Sequence, residues 1–140
     1  MKKQYIIPIV LLFILSCKKY EDGPAFSLRK PEKRLCRKWV FSSTEQNGNT
    51  VYFNYNPQFS LEFKKNGAFI ATLSSPYNQW GYPVPWEGTW QFFNDKENIY
   101  TSIQVLNDTL KILRLTSKEL WLLDETYQPN LPVTYKYKSY

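Results

Sequence analysis

The sequence predicts an all-β protein, an antiparallel up-and-down β-barrel of about eight strands that is preceded by one short helix. Beyond residue 38, apolar and polar residues alternate with a period of two, as they do on strands with one buried face. Turn-forming residues interrupt this alternation at short spacing, and no long helical pattern lies between them. A two-sheet sandwich is the alternative, because it shows the same pattern.

The N-terminal residues predict an export signal. Two lysines precede an apolar run over residues 5–15, which is about 11 residues long, whereas a membrane-spanning helix needs about 20. Ile14, Ser16 and Cys17 resemble the cleavage site of bacterial lipoproteins, in which the cysteine directly follows the cut. We therefore expect a lipoprotein signal peptide over residues 1–16 and acyl chains such as palmitate on Cys17.

Several acyl chains on one residue anchor a protein stably to a membrane. Lys18, rather than Asp, after the cysteine resembles the signal for the outer membrane, so we expect a lipoprotein of the cell envelope, on the periplasmic face or the cell surface. Residues 17–34 are rich in Lys, Arg and Pro and predict a flexible tether with little that packs. Within it, Pro31 favours the start of a short helix that runs to about Cys36, and the barrel domain then covers residues 35–140.

The composition argues against several classes of function. Without the signal, 16 basic and 12 acidic residues leave a net charge of +4, too little for a nucleic-acid-binding surface. The chain has no histidine, which is the usual general base and the commonest metal ligand. Since it also has no phosphate-binding glycine loop and no cysteine cluster, we expect no cofactor and no metal ion. Cys36 is predicted to be a buried, inert thiol.

Two carboxylate pairs are the candidates for calcium binding or acid–base catalysis, namely Asp95 with Glu97 and Asp124 with Glu125. Both pairs stand at predicted strand ends among turn residues, which favours a solvated surface. The sequence therefore predicts that the protein is not an enzyme.

Each strand is bounded by its alternation and by the turns beside it. The alternation slips over residues 110–115, which indicates a bulge or a strand that is covered on both faces. Turns are predicted at residues 94–98, Asn107–Asp108 and Ser117–Lys118. The predicted strands cover residues 39–43, 59–64, about 69–73, 88–93, 99–105, 109–116, 119–124 and 133–138.

The hairpin around Asn66-Gly67 has two conceivable registers. A two-residue loop would mix apolar and polar residues on each face. A three-residue loop, Lys65-Asn66-Gly67, with a left-handed glycine in a bulge, places the large apolar residues on one side. We therefore predict the pairs Phe63–Phe69, Leu61–Ala71 and Phe59–Leu73.

A series of short motifs resembles the lipocalin-like (calycin) domain of small bacterial lipoproteins, from about Arg34 to the C-terminus. The motifs are Leu35-x-x-x-Trp39, the Phe63/Asn66-Gly67/Phe69 hairpin, Gly88-Thr89-Trp90, Asn94-Asp95-Lys96, and Leu115-Thr116 before Leu120-Trp121-Leu122. Arg37 stands where lipocalins usually have glycine, and their second motif, Thr-Asp-x-x-Tyr, is absent. The resemblance implies the barrel and leaves its ligand open.

The segment from Ser74 to Glu87 is unusually long for a connection and contains three prolines and four aromatic residues. These aromatic residues are the candidate ligand contacts at the barrel mouth: Tyr77, Trp80, Tyr82 and Trp86. Seven other aromatic residues are predicted to point inward, so any cavity should be small or shallow: Trp39, Phe41, Phe59, Phe63, Phe69, Trp90 and Phe92.

Two functions remain open at this point. The first is a membrane-anchored protein that binds a small apolar or amphipathic ligand at the barrel mouth. The alternative is a non-enzymatic module that binds an envelope protein or a glycan on the outer membrane. An interior cavity would favour the first, and a filled interior with exposed loop aromatics would favour the second.

Overall fold

A computed structural model describes residues 19–24, 27–52, 59–74, 82–104, 106–126 and 131–140. Within these residues, one helix, α1 (Pro31–Leu35), precedes nine strands. The strands are β1 (Lys38–Gln46), β2 (Asn49–Tyr52), β3 (Phe59–Phe63), β4 (Ala68–Leu73), β5 (Val84–Phe93), β6 (Asn98–Ile103), β7 (Leu106–Leu115), β8 (Glu119–Asp124) and β9 (Val133–Lys138).

The strands form one antiparallel sheet that closes on itself. From β3 to β9 each strand pairs with the next, β1 pairs with β3, and a further pairing of β1 with β9 closes the barrel. β2 pairs only with the second half of β1 and is an extra strand beside the closed eight-stranded barrel. The predicted barrel is therefore confirmed, and the two-sheet sandwich is wrong because closure leaves a single sheet.

The β3–β4 hairpin has the predicted register. Gly67 has a φ of +83°, and its N–H donates to the Lys64 carbonyl at 3.0 Å, which closes the three-residue loop. Glycine adopts this φ without the strain that a Cβ would cause. The observed pairs are Phe63–Phe69, Leu61–Ala71 and Phe59–Leu73.

β7 shows both features that its irregular alternation predicted. Its register against β8 shifts between Ile112 and Arg114, which places a bulge at Leu113. The Leu113 side chain is nevertheless only 8% exposed. The backbone N–H of Asp22 donates to the Leu113 carbonyl at 2.8 Å, so the N-terminal residues cover this strand from outside.

Several strand boundaries differ from the prediction: β1 runs to Gln46, β2 is an additional strand, and β6 ends at Ile103. Two further differences bear on the cavity. β5 begins at Val84 rather than Gly88, so Trp86 belongs to a strand and not to the connection before it. β7 begins at Leu106, so the predicted turn at Asn107–Asp108 is wrong. Asn and Asp favour turns locally, but the pairing of this segment with β6 overrides that preference. The predicted turn at residues 94–98 is confirmed over residues 94–97, since β6 begins at Asn98, and the turn at residues 117–118 is confirmed.

The core fills the end of the barrel that α1 closes. The Trp39 indole N–H donates to the Leu35 carbonyl at 2.9 Å, and the Arg34 guanidinium donates to the Leu115 carbonyl at 2.5 Å. These bonds hold α1 across the barrel floor, with Leu35 and Trp39 fully buried. All seven aromatic residues predicted to point inward are buried in this core or packed against it.

The N-terminal residues differ from the expected tether. Tyr20 is 3% exposed and packs in the core, and its hydroxyl donates to the Lys96 carbonyl at 3.2 Å. Lys19 Nζ donates to the Asp95 carbonyl at 2.6 Å. Residues 19–24 are therefore docked on the turn between β5 and β6. Burial of the Tyr20 ring removes apolar surface from water, and this free energy favours the docked state over a solvated tether. The helix at Pro31–Leu35 is as predicted.

Candidate functional site

The strands enclose a cavity at the end of the barrel opposite α1. Its volume is about 420 Å³, within the range of about 300–1,000 Å³ that is typical of small-molecule sites. The aromatic part of its wall is formed by Phe41, Phe59, Phe69, Tyr135 and Tyr137. The aliphatic part is formed by Leu61, Ala71, Ile103, Leu106 and Leu110.

Three further polar side chains line this mostly apolar wall, namely Thr101, Asp108 and Asp124. Asp124 is 8% exposed, and its Oδ1 accepts the backbone N–H and the hydroxyl of Thr126, both at 2.8 Å. Burial, and then repulsion from Asp124, raises the pKa of the Asp108 carboxyl. Burial likewise raises the pKa of the Tyr137 phenol. The cavity thus combines an apolar wall with two neighbouring carboxyl groups.

Of the four predicted ligand contacts, the two that the structure describes, Tyr82 and Trp86, lie beside the cavity rather than within its described wall. Trp86 is 37% exposed on β5 and pairs with Ala71, a residue of the cavity wall. Tyr82 precedes β5 and is 60% exposed. Both residues therefore lie near the open end. Tyr77 and Trp80 fall outside the described residues, and Cys17 does as well.

Comparison with known proteins shows the fold but no relative in sequence. No family model matches the chain, and no curated protein matches it. Nine solved chains match its structure. One of them, a lipocalin-like protein from Bacteroides uniformis ATCC 8492, has a TM-score of 0.58 at 14% identity, over 76% of this chain and 99% of that chain. This chain has a lipocalin-like fold.

Two other solved structures are similar to the lipocalin-like barrel at lower scores. A redesigned β-barrel has a TM-score of 0.47 at 10% identity and covers 82% of this chain and 99% of its own. A deswapped triple mutant of bovine odorant binding protein has a TM-score of 0.44 at 13% identity and covers 76% of this chain and 74% of its own.

The sequence prediction missed the two acidic residues of the lipocalin-like barrel's cavity. The sequence predicts Asp108 in a turn and Asp124 at a solvated strand end with Glu125. The structure corrects both, since Asp108 lies within β7 and Asp124 is buried at the end of β8. The alternation could have identified both residues, because each Asp stands two residues from an inward-facing leucine and therefore shares its face. The inward-facing residues are Leu106, Asp108 and Leu110 on β7, and Leu120, Leu122 and Asp124 on β8.

Other candidate sites carry little chemistry. In the part of the chain that the structure describes, no three Cys, Asp or Glu side chains cluster as metal ligands. Cys36 is half-buried rather than buried, because it caps the end of α1, and burial raises the pKa of its thiol. Asp95 is exposed in the turn after β5, as predicted. No helix among the described residues is long and apolar enough to span a bilayer.

Proposed function

We propose that this protein is a bacterial lipoprotein whose lipocalin-like barrel binds a small apolar or amphipathic ligand. The observation that carries the proposal is the cavity of about 420 Å³ inside the strands. An eight-stranded barrel is just wide enough either to be filled by side chains or to hold one small ligand. Here side chains fill one half, around Trp39 and Phe63, while the other half is hollow.

The cavity also favours ligand binding over the alternative, a module that binds an envelope protein or a glycan. That alternative was expected to have a filled interior with exposed aromatic residues. Tyr82, Trp86 and Leu106 are exposed near the open end, so a surface for such a partner exists. Ligand binding accounts for the cavity and for the exposed apolar residues beside it, because small-molecule sites are lined mostly by hydrophobic and aromatic side chains.

The proposed anchor is lipid on Cys17, after removal of residues 1–16, in the outer membrane. Lys19 and Tyr20 are docked on the turn between β5 and β6, at the closed end of the barrel. Cys17 lies only two residues before Lys19, a distance of at most about 7 Å along an extended chain. The lipid would therefore hold the closed end next to the bilayer.

This orientation fits the charge at the closed end. Lys33, Arg37 and Lys65 lie on α1 or on connections at this end, where they can face anionic headgroups. The cavity opens at the opposite end of the barrel. The ligand would then enter from the aqueous compartment rather than from the membrane that holds the protein.

The experiment fills the cavity and measures binding. Ala71 lines the cavity, so Ala71→Phe places a ring inside it, whereas Ala68→Phe makes the same change on the outer face of the same strand. The probes are decanol, decanoate and decylamine, titrated by calorimetry into Cys17→Ser protein recovered from the aqueous phase, which carries no acyl chain and needs no detergent. We expect Ala71→Phe to weaken binding about tenfold or more, which is about 1.4 kcal/mol, and Ala68→Phe to leave it unchanged.

A second pair of variants tests the aromatic residues predicted to contact the ligand at the open end of the barrel. Trp86→Ala should weaken binding by about 1–3 kcal/mol through lost aromatic contact, as should Trp80→Ala. Trp121→Ala, on the outer face of β8, is the matched control and should have no effect on binding. If no probe binds the wild-type protein, and native mass spectrometry of protein from its own envelope shows a bound protein or glycan instead, the interaction module is the correct function.

A further inference from the structure

The cavity places two carboxyl groups in an otherwise apolar wall. Asp108 is near the start of β7 and Asp124 is at the end of β8, so both lie at the level of the mouth. Leu61, Phe69 and Leu110 lie deeper, towards the filled core. A molecule in the cavity would therefore meet apolar side chains at the bottom and carboxyl groups near the opening.

These two carboxyl groups are costly to keep charged in this position. Two carboxylates close together repel each other, and burial makes their charges still less favourable. Both effects act on Asp108, whose pKa is raised by burial and then by Asp124. The hydroxyl of Thr126 hydrogen-bonds to both carboxyl groups, but it carries one proton and donates to one of them at a time. Each carboxylate has about four lone-pair sites, so the pair can accept hydrogen bonds from a ligand as well as from these protein groups.

The described wall of the cavity contains acidic but no basic side chains. The residues that line the cavity include no lysine and no arginine. Glu125 directly follows Asp124 at the end of β8 and is exposed, which adds a further acidic residue at this end. The basic residues lie elsewhere, and many are at the closed end beside α1. The charged residues of the described wall are therefore all acidic, although the whole chain has a net charge of +6.

We infer that the cavity selects amphiphiles whose polar group is a protonated amine, with the ammonium beside Asp108 and Asp124 and the apolar tail against Leu61 and Phe69. This inference rests on the proposed ligand-binding function and adds the chemical class of the ligand. A carboxylate head would be repelled at the same position, and a hydroxyl head would bring no positive charge to the pair. The cavity of about 420 Å³ holds about 14 groups at about 30 Å³ each, which is enough for a ten-carbon tail and its polar head.

The test compares three ligands with the same chain length and different heads. Decylamine, decanol and decanoate are titrated at pH 7 into protein carrying Cys17→Ser, at concentrations below the solubility limit of decanol and the micelle-forming concentrations of the two charged ligands. Decylamine should bind about tenfold to a hundredfold more tightly than decanol, because a charge-assisted hydrogen bond is stronger than a neutral one, and decanoate should bind most weakly. The net positive charge of the protein would by itself favour decanoate, so preference for the amine has to come from the cavity.

Variants then test whether the preference for decylamine comes from Asp108 and Asp124. Asp108→Asn should reduce the ratio of decylamine to decanol affinity about tenfold while decanol binding persists. Asp124→Asn should do the same, although it also weakens the bonds to Thr126. Asp95→Asn, in the exposed turn at the closed end, is the matched control and should leave the ratio unchanged. Because the ratio is measured within one protein, a partial loss of folded protein does not imitate the effect.

The outcomes separate this inference from the function on which it rests. Equal affinity for decylamine and decanol, or tighter binding of decanoate, would overturn the amine selectivity and leave ligand binding intact. A preference for the amine that survives in Asp108→Asn and Asp124→Asn would overturn the role of the pair. Failure of all three ligands to bind the wild-type cavity would remove the proposed function itself.

Discussion

The indole N–H of Trp39 donates a hydrogen bond to the carbonyl of Leu35 at 2.9 Å, and both residues are fully buried. This bond joins the first barrel strand to the helix that closes the barrel. It also satisfies the only polar side-chain atom of the largest fully buried residue in the core. The closed end is consequently the part of the barrel that packing stabilises most, while the open end is left for the cavity.

Trp39→Ala should cost about 3–5 kcal/mol of unfolding free energy, since it removes a fully buried ring and its hydrogen bond. Urea unfolding followed by circular dichroism measures the loss. Trp121→Ala is the control, because this ring lies on the outer face with Arg114 and Lys136 against it and should cost about 1 kcal/mol. Equal losses in the two variants would show that the core does not depend on Trp39.

Gly67 and Gly88 should differ in what they tolerate. Gly67 has a φ of +83° with room for a Cβ, so Gly67→Ala should cost about 1–2 kcal/mol and Gly67→Asn less, because Asn accepts left-handed backbone. A Cβ on Gly88 would lie 2.0 Å from the Ser102 carbonyl oxygen, so Gly88→Ala and Gly88→Asn should both destabilise by more. Thermal unfolding of the four variants measures this, and asparagine should be less costly than alanine at position 67 but not at position 88.

Tyr20 should stabilise the barrel, whereas a residue of a solvated tether would have no effect on its stability. Tyr20→Ala should cost about 3–5 kcal/mol, and Tyr20→Phe about 1 kcal/mol through the lost bond to Lys96. Burial raises the pKa of Tyr20 to about 12 from its ordinary value of 10, so its proton is held more tightly in the folded state. Stability should therefore fall between about pH 10 and 12, and fall less in Tyr20→Phe. Identical curves for the two proteins would contradict this.

Asp108→Asn should raise stability at pH 7 while it lowers affinity for the amine. A carboxyl with a raised pKa stabilises the fold only while it is protonated, and this contribution is lost as the pH rises above the ordinary value of about 4. Asparagine stays neutral, so the midpoint of urea unfolding should be higher at pH 7 and closer to wild type at pH 4. A lower midpoint at pH 7 would show that the carboxylate contributes to the fold.

Cys17→Ser should release the protein from membranes. The wild-type protein should partition into a detergent phase, because acyl chains on Cys17 dominate its affinity for lipid. The variant should stay in the aqueous phase or accumulate unprocessed, and Cys36→Ser, the matched control, should partition as wild type does. Partitioning of Cys17→Ser into detergent to the wild-type extent would refute the anchor.

The strands and the β3–β4 register follow from the sequence alone, because both depend on local rules. Alternation with a period of two assigns each side chain to a face, and only the register with the three-residue loop keeps Phe63 and Phe69 on the same face. The same rule places Asp108 and Asp124 on the inner faces of their strands. The turn prediction at Asp108 was wrong because Asp is common in turns, whereas here it lies on a strand and lines the cavity.

Tertiary structure alone decided where Tyr20 packs and how much of the barrel is hollow. The partner of the Tyr20 hydroxyl is 76 residues away, and nothing in the local sequence around Tyr20 indicates a contact at that separation. The cavity depends on the balance of side-chain volumes from strands that meet only when β1 pairs with β9. Alternation states which side chains point inward, but the space that they leave is a property of the closed barrel, because packing depends on all of them together.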